Sequence, residues 1–372
     1  IGLFASWDGG KNWQSFQLNL PITPITDLKI HQGDLIAATS GRSFWIFDDM
    51  NLLREYKKDM SGFFAMAPEP SYLANGGSPL NGSDENFKGM GSTEGVNPAN
   101  GVVLYYHLPE ELKEGALKME IRDSEGNLVK TFSSKADSSF QEWDGGPSPE
   151  PVLSAKKGLN RFVWNMRYPT MAGIPNVYYE ASFSGHKAMP GKYSIKMALG
   201  DKTVETTAEI LPNPLYSVSA DDYRTYHRFM QAAEAELHQM HLMVNELHAK
   251  KTQLEELLAG LPAGDAFKTL KTDGEALAKK ITAWDEEMVQ RKSKAYDDVE
   301  NFPNKFTAEY IFLINMTESD LPRVNQPSVD RKAELDAQWT GLKARGRELL
   351  DKDLAAYNEK LWKAGIGGIW KK

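Results

Sequence analysis

Not one of the 372 residues is cysteine, so disulfides, thiolate nucleophiles and cysteine-ligated zinc are excluded. A basic surplus is missing as well. Lys and Arg number 43 against 51 Asp and Glu, a net charge of -8, which gives a phosphate backbone nothing to dock on. Nucleic acid is therefore set aside as a partner. No stretch approaches the ~20 consecutive apolar residues that span a bilayer, so no transmembrane segment is expected. Absent too are the G-x-S-x-G nucleophile elbow, the P-loop and the dinucleotide fingerprint. What remains, 41% hydrophobic and 25% charged, is the composition of a folded chain long enough for two or three domains.

The chain enters strand-like sequence at Ile1 without a basic-then-apolar leader, and is read as a piece of a longer protein. Residues 1–58 are short β-runs divided by turn chemistry: Leu3–Ser6, the alternating Trp13–Leu18, Ile25–Ile30, Asp34–Thr39 and Arg42–Phe47. Residues 59–100 lose that periodicity. Asn75-Gly76-Gly77, Asn81-Gly82-Ser83 and Gly89-Met90-Gly91 mark a linker or crossing segment. Residues 101–213 return to strands, with Val102–Leu108, Leu117–Arg122, Leu128–Phe132, Asn160–Asn165, Lys192–Met197 and Thr203–Ile210, which predicts an immunoglobulin-like β-sandwich. From Ser219 the period changes from 2 to 3.6. Ser219 with Asp222 forms an N-cap signal, and helices are expected to about Gly260, from about Asp265 to Lys292, over Thr307–Met316 and over Val329–Trp362. Short connections between them predict an antiparallel helical bundle over residues 214–372.

Ser6-Trp7-Asp8-Gly9-Gly10-Lys11-Asn12-Trp13 fits the Asp-box pattern S-x-D-x-G-x-x-W. Ser6 and Asp8 can bond the turn backbone, Gly10 permits a positive φ, and Trp13 is expected to plug a sheet interface. With the strands that follow, this segment resembles the last blade of a BNR-repeat (Asp-box) β-propeller, more narrowly the bacterial secreted proteins called sortilin-like (VPS10-type) or glycosyl-hydrolase-like. The resemblance implies a multidomain architecture of terminal blade, sandwich and helical bundle. It also implies an extracytoplasmic location and, as partner, the remainder of the propeller on the same protein or on a companion chain. One blade cannot close a ring, so its strand edges require such a partner.

Candidate chemistry is sparse. His227, His238, His241 and His248 fall on one arc of the first long helix, and Glu234 lies one turn before His238. Glu234, His238 and His241 are thus a candidate metal set, set against the alternative that they are polar rings flanking the apolar stripe. The adjacent acids Asp48 and Asp49 point to opposite faces of a strand and cannot act together on a glycosidic bond. Trp143, Trp164 and Tyr168 could stack on sugar rings, or serve as core. The glycine-bearing tail from Trp362 is expected to dock back onto the protein. No cofactor is implied. The reading is a structural and binding region, non-catalytic in itself, that braces a propeller and supports protein or polysaccharide binding. The alternative is part of a glycoside hydrolase whose active site lies on the missing blades.

Overall fold

The computed structural model describes residues 2–55, 60–74, 76–81, 95–113, 115–318 and 323–369. The glycine-rich runs at 82–84 and 89–91, Asn75 and the last three tail residues lie outside them. The chain divides into two compact units. The first comprises Ile1–Ala136, Pro151–Met166 and Pro190–Leu215, the second Asp137–Glu150, Arg167–Met189 and Tyr216–Lys372.

The first unit begins with a two-stranded ribbon, β1 (Phe4–Ala5) against β2 (Gln14–Ser15). A separate antiparallel sheet follows, β3 (Ile25–His31), β4 (Asp34–Thr39) and β5 (Phe44–Phe47), in that order. Gln32 and Gly33, with φ of 49° and 89°, make the two-residue turn between β3 and β4, a backbone that matches the twist of the flanking strands. After the short helix α1 (Met50–Glu55) come β6 (Phe64–Ala65) and β7 (Ser71–Tyr72). Six longer strands complete the unit: β8 (Val102–Leu108), β9 (Leu117–Arg122), β10 (Leu128–Ser133), β11 (Gly158–Trp164), β12 (Gly191–Leu199) and β13 (Lys202–Leu211). They form a three-stranded sheet, β11-β8-β6, and a five-stranded sheet, β10-β9-β12-β13-β7. Their cores follow the period of two: Val102, Leu104, Tyr106 and Leu108 of β8 are buried, as are Leu117, Met119 and Ile121 of β9.

In the second unit, α2 (Ala220–Gly260) starts at a capping box in which the Asp222 backbone N–H donates to Ser219 Oγ and the Ser219 N–H to Asp222 Oδ2, each at 3.1 Å. Then follow α3 (Asp265–Met288), α4 (Phe306–Thr317), α5 (Gln326–Glu348), a π-turn over Leu349–Asp353, and α6 (Leu354–Lys363). Gly365, at φ 74°, ends α6 with Ile366 N–H on Leu361 O at 2.9 Å. The tail returns: Asn358 donates to Ile369 O and accepts from Ile369 N–H, and Ile369 is buried in the helical core.

Three expectations about fold class are corrected. No propeller blade is present, because a blade is one four-stranded sheet whereas residues 2–47 build a ribbon and a separate three-stranded sheet, with no closed ring among the described residues. The immunoglobulin-like sandwich fails on topology, since β7 runs parallel to β13 and makes the five-stranded sheet mixed. The expected antiparallel helical bundle is not shown among the described residues. Met171, Ile174, Val177, Tyr179 and Phe183, from the strap Arg167–Met189, sit in the same core as the helices, so the apolar faces close on irregular chain as well as on one another.

Candidate functional site

The Asp-box folds into a self-contained turn. Ser6 Oγ donates to Asp8 Oδ1 at 2.8 Å and accepts from Gly10 N–H at 2.8 Å. Asp8 accepts from the Asn12 backbone N–H at 2.9 Å and from the Asn12 side-chain amide at 2.6 Å. These bonds, the Asn12 backbone one foremost, hold the Asp8 carboxyl down to about 2. Gly10 takes φ 88°, and its carbonyl accepts from Trp13 Nε1 at 3.0 Å. Trp13 was expected inside a sheet interface. It lies on the surface instead, 64% exposed.

The sheet beyond it carries apolar side chains on both faces, one of them mixed with Asp27, Lys29, His31 and Asp34. The register places Leu28 beside Ala37 and Trp45, and Ile30 beside Leu35 and Phe47. On the opposite face Ile36 lies beside Ile46, and Ala38 beside Phe44. Yet Ala37 is the one fully buried residue of these three strands, while Phe44 is 74% and Ile46 61% exposed. Among the described residues β3 and β5 each pair with β4 alone, which leaves both outer edges unpaired.

The acids Asp48 and Asp49 lie past the end of β5 and outside any strand, so strand geometry does not set their directions. Asp49 turns into the left-handed region at φ 59° and accepts from Tyr105 Oη at 2.9 Å. Burial, then the neighbouring Asp34 and Asp49 charges, push the Asp48 carboxyl up.

The aromatic candidates do not form one platform. Trp164 belongs to the first unit, is 1% exposed and packs edge-on against Tyr193 at 5.3 Å. Trp143 belongs to the second. Its Nε1 donates to Val177 O at 2.9 Å, and its ring lies so near Gly146 and Gly173 that a Cβ on either would fall within 2.5 Å and 2.8 Å of it. Tyr168 stacks on His186, centroids 4.2 Å apart and planes 9° from parallel.

The helix histidines separate by depth. His238 is exposed. His241 is 1% exposed and donates from Nδ1 to Ala172 O at 2.7 Å, with burial pushing its imidazole down to about 4. Glu234 does not meet His238. Its Oε1 accepts from the His186 backbone N–H at 2.8 Å and its Oε2 from His186 Nδ1 at 2.9 Å, and His186 Nε2 lies 2.9 Å from His227 Nδ1. Among the described residues no group of three His, Asp or Glu is placed to hold a metal ion. His186 had no sequence signal: it sits in irregular chain, 41 residues from His227 and 48 from Glu234.

No helix among the described residues is long and apolar enough to cross a membrane. No family model, no curated protein and no solved structure matches this chain.

Proposed function

We propose that this chain is a structural and binding region of a larger extracytoplasmic protein of the Asp-box, BNR-repeat type, and that residues 2–48 are its association surface. One observation carries the reading. The sheet of β3, β4 and β5 bears apolar side chains on both faces and leaves Leu28, Ile30, Phe44 and Ile46 exposed, while Leu35, Ile36, Trp45 and Phe47 are only half-buried, Phe47 against Phe16 at 5.4 Å. Sheets covered on both sides have this composition, and an uncovered one forgoes roughly 25 cal/mol for every Å² of apolar area left in water. The occupant is a further β-sheet with an apolar face, supplied by polypeptide outside these residues.

The double substitution Phe44→Lys with Ile46→Lys tests the surface. Both side chains are more than half exposed, so thermal unfolding of the double variant should stay near that of the wild type. A photo-crosslinking residue at position 44 in the natively produced protein should join to alternating, strand-forming sequence outside this chain. A large loss of stability in the lysine variant would show that the faces are covered within the fold, and would sink the proposal. Crosslinks to a second copy of the chain, or to surface polysaccharide alone, would do the same.

A further inference from the structure

In the second unit, Glu234, His186 and His227 form an unbroken hydrogen-bonded row. The His186 side chain is 1% and the Glu234 side chain 14% exposed. Two bonds to one residue fix the carboxylate: the His186 backbone N–H on Oε1 and the ring Nδ1 on Oε2. A carboxylate only accepts, so His186 Nδ1 carries a hydrogen. Neutral His186 then has a lone pair at Nε2, and His227 must donate to it from Nδ1. Each ring's tautomer is set by the one before it.

Protons can be counted along this row. With one added proton the bridge survives in either of two forms. The charge rests on His227, or the bridging proton moves to His186 Nε2, next to Glu234, and leaves His227 as the Nε2–H tautomer. When the second added proton also goes to a ring, both rings present N–H at the bridge, and the hydrogen bond cannot form. The surroundings suit a single positive charge. Tyr168 stacks on His186 and tilts over His227 at 5.2 Å, and Tyr226 meets His186 edge-on at 6.3 Å. The other charged groups nearby are Arg167, whose guanidinium forms a two-bond pair with Glu318, and Lys187, next to His186 in the chain.

We propose that Glu234, His186 and His227 are a proton-binding relay that latches the strap Arg167–Met189 to α2. It takes up one proton as a unit with the latch closed, and opens when a second arrives. The inference is independent of the association surface in the first unit.

Nitrogen-15 spectra of histidine-labelled full-length protein, recorded from about pH 8 to about pH 4, read the tautomers directly. In the wild type both rings should be Nδ1–H at the alkaline end. His186 should then titrate in two steps, the first shared with His227. Glu234→Gln supplies the sharper test. A glutamine amide has one accepting oxygen, which the His186 backbone N–H takes, and its NH₂ then faces Nδ1. Both rings should flip to Nε2–H. A variant that folds, by its amide spectrum, with either ring still Nδ1–H overturns the relay. Should Glu234→Gln not fold, His227→Phe keeps a ring in place and removes the bridge, so His186 should titrate in a single step. Equal step numbers in the wild type and His227→Phe would overturn the proposal as well.

Discussion

Two glycines five residues apart on α5 should respond to the same substitution with opposite signs. Gly341 has nothing within 4 Å of where a Cβ would stand. Gly341→Ala should therefore gain the helical preference of alanine over glycine, about 1 kcal/mol. Gly346 faces the core, on the stripe of Leu335, Trp339 and Leu342. A Cβ there would lie 2.5 Å from Met243 Sδ and 3.0 Å from Trp284 Cζ2. The thioether can swing away. The indole has little room to move, because its Nε1 donates to Leu342 O at 2.8 Å and the residue is 3% exposed. Overpacking of this kind costs about 1–3 kcal/mol, which outweighs the gain in preference. Net of that gain, Gly346→Ala should be destabilised by up to about 2 kcal/mol, so the two variants should differ by roughly 1–3 kcal/mol. Calorimetric melting of the helical unit would show this as a separation of roughly 2–12 °C. If Gly346→Ala melts as high as Gly341→Ala, the close approach of α5 to Trp284 is wrong, and with it the packing of that core.

Three further outcomes are expected. His241 is neutral in the fold and titrates near 4, against an unfolded value of about 6.5, so the native state binds fewer protons between those limits. Stability should be undiminished above pH 6.5 and should fall by roughly 1.4 kcal/mol per unit as pH drops toward 4. In His241→Asn, which keeps a donor for Ala172 O, that part of the slope should vanish from urea-unfolding curves. Trp164→Ala should cost about 3–5 kcal/mol by emptying a core site, whereas Trp13→Ala, on a ring 64% exposed, should stay within about 0.5 kcal/mol of the wild type. Isothermal titration with soluble oligosaccharides should show no contribution from Trp164, and heat lost on its replacement in a protein still folded would contradict its interior position.

The sequence was most legible where one period dominates. The strands β8 to β13 and the helices α2 to α4 lie close to where alternation and the 3.6-residue repeat put them. The capping box at Ser219 marked the start of α2, and Gly260 its end. The Val329–Trp362 stretch reads as one periodic helix but contains a π-turn at Leu349–Asp353, an extra residue in the repeat with no composition of its own. Strand pairing was harder to see, because alternation says which residues share a face and nothing about which strand lies alongside. The two-residue β7 shows this, since it joins the five-stranded sheet in parallel at Ile210 and Leu211 without any periodic run of its own.

The candidate site exposes the same limit in its chemistry. Glu234 and His238 were paired because residues four apart share a helical face, but that rule describes solvent-exposed neighbours whose interaction is worth only about 0.2–0.5 kcal/mol. A carboxylate nearly withdrawn from water needs more than one weak surface contact. His186 offers it a backbone N–H and a ring N–H in one place, and no helical neighbour can present that pair. The geometry that delivers them depends on the strap, where Gly185 passes so close to the Tyr168 and Pro169 carbonyls that a Cβ would stand 2.6 Å and 2.4 Å from them. A residue with a side chain at 185 would push the strap outward and carry His186 away from Glu234. The glycine and the histidine therefore act together, and neither has a periodic signature that could have linked it to a helix more than 40 residues away.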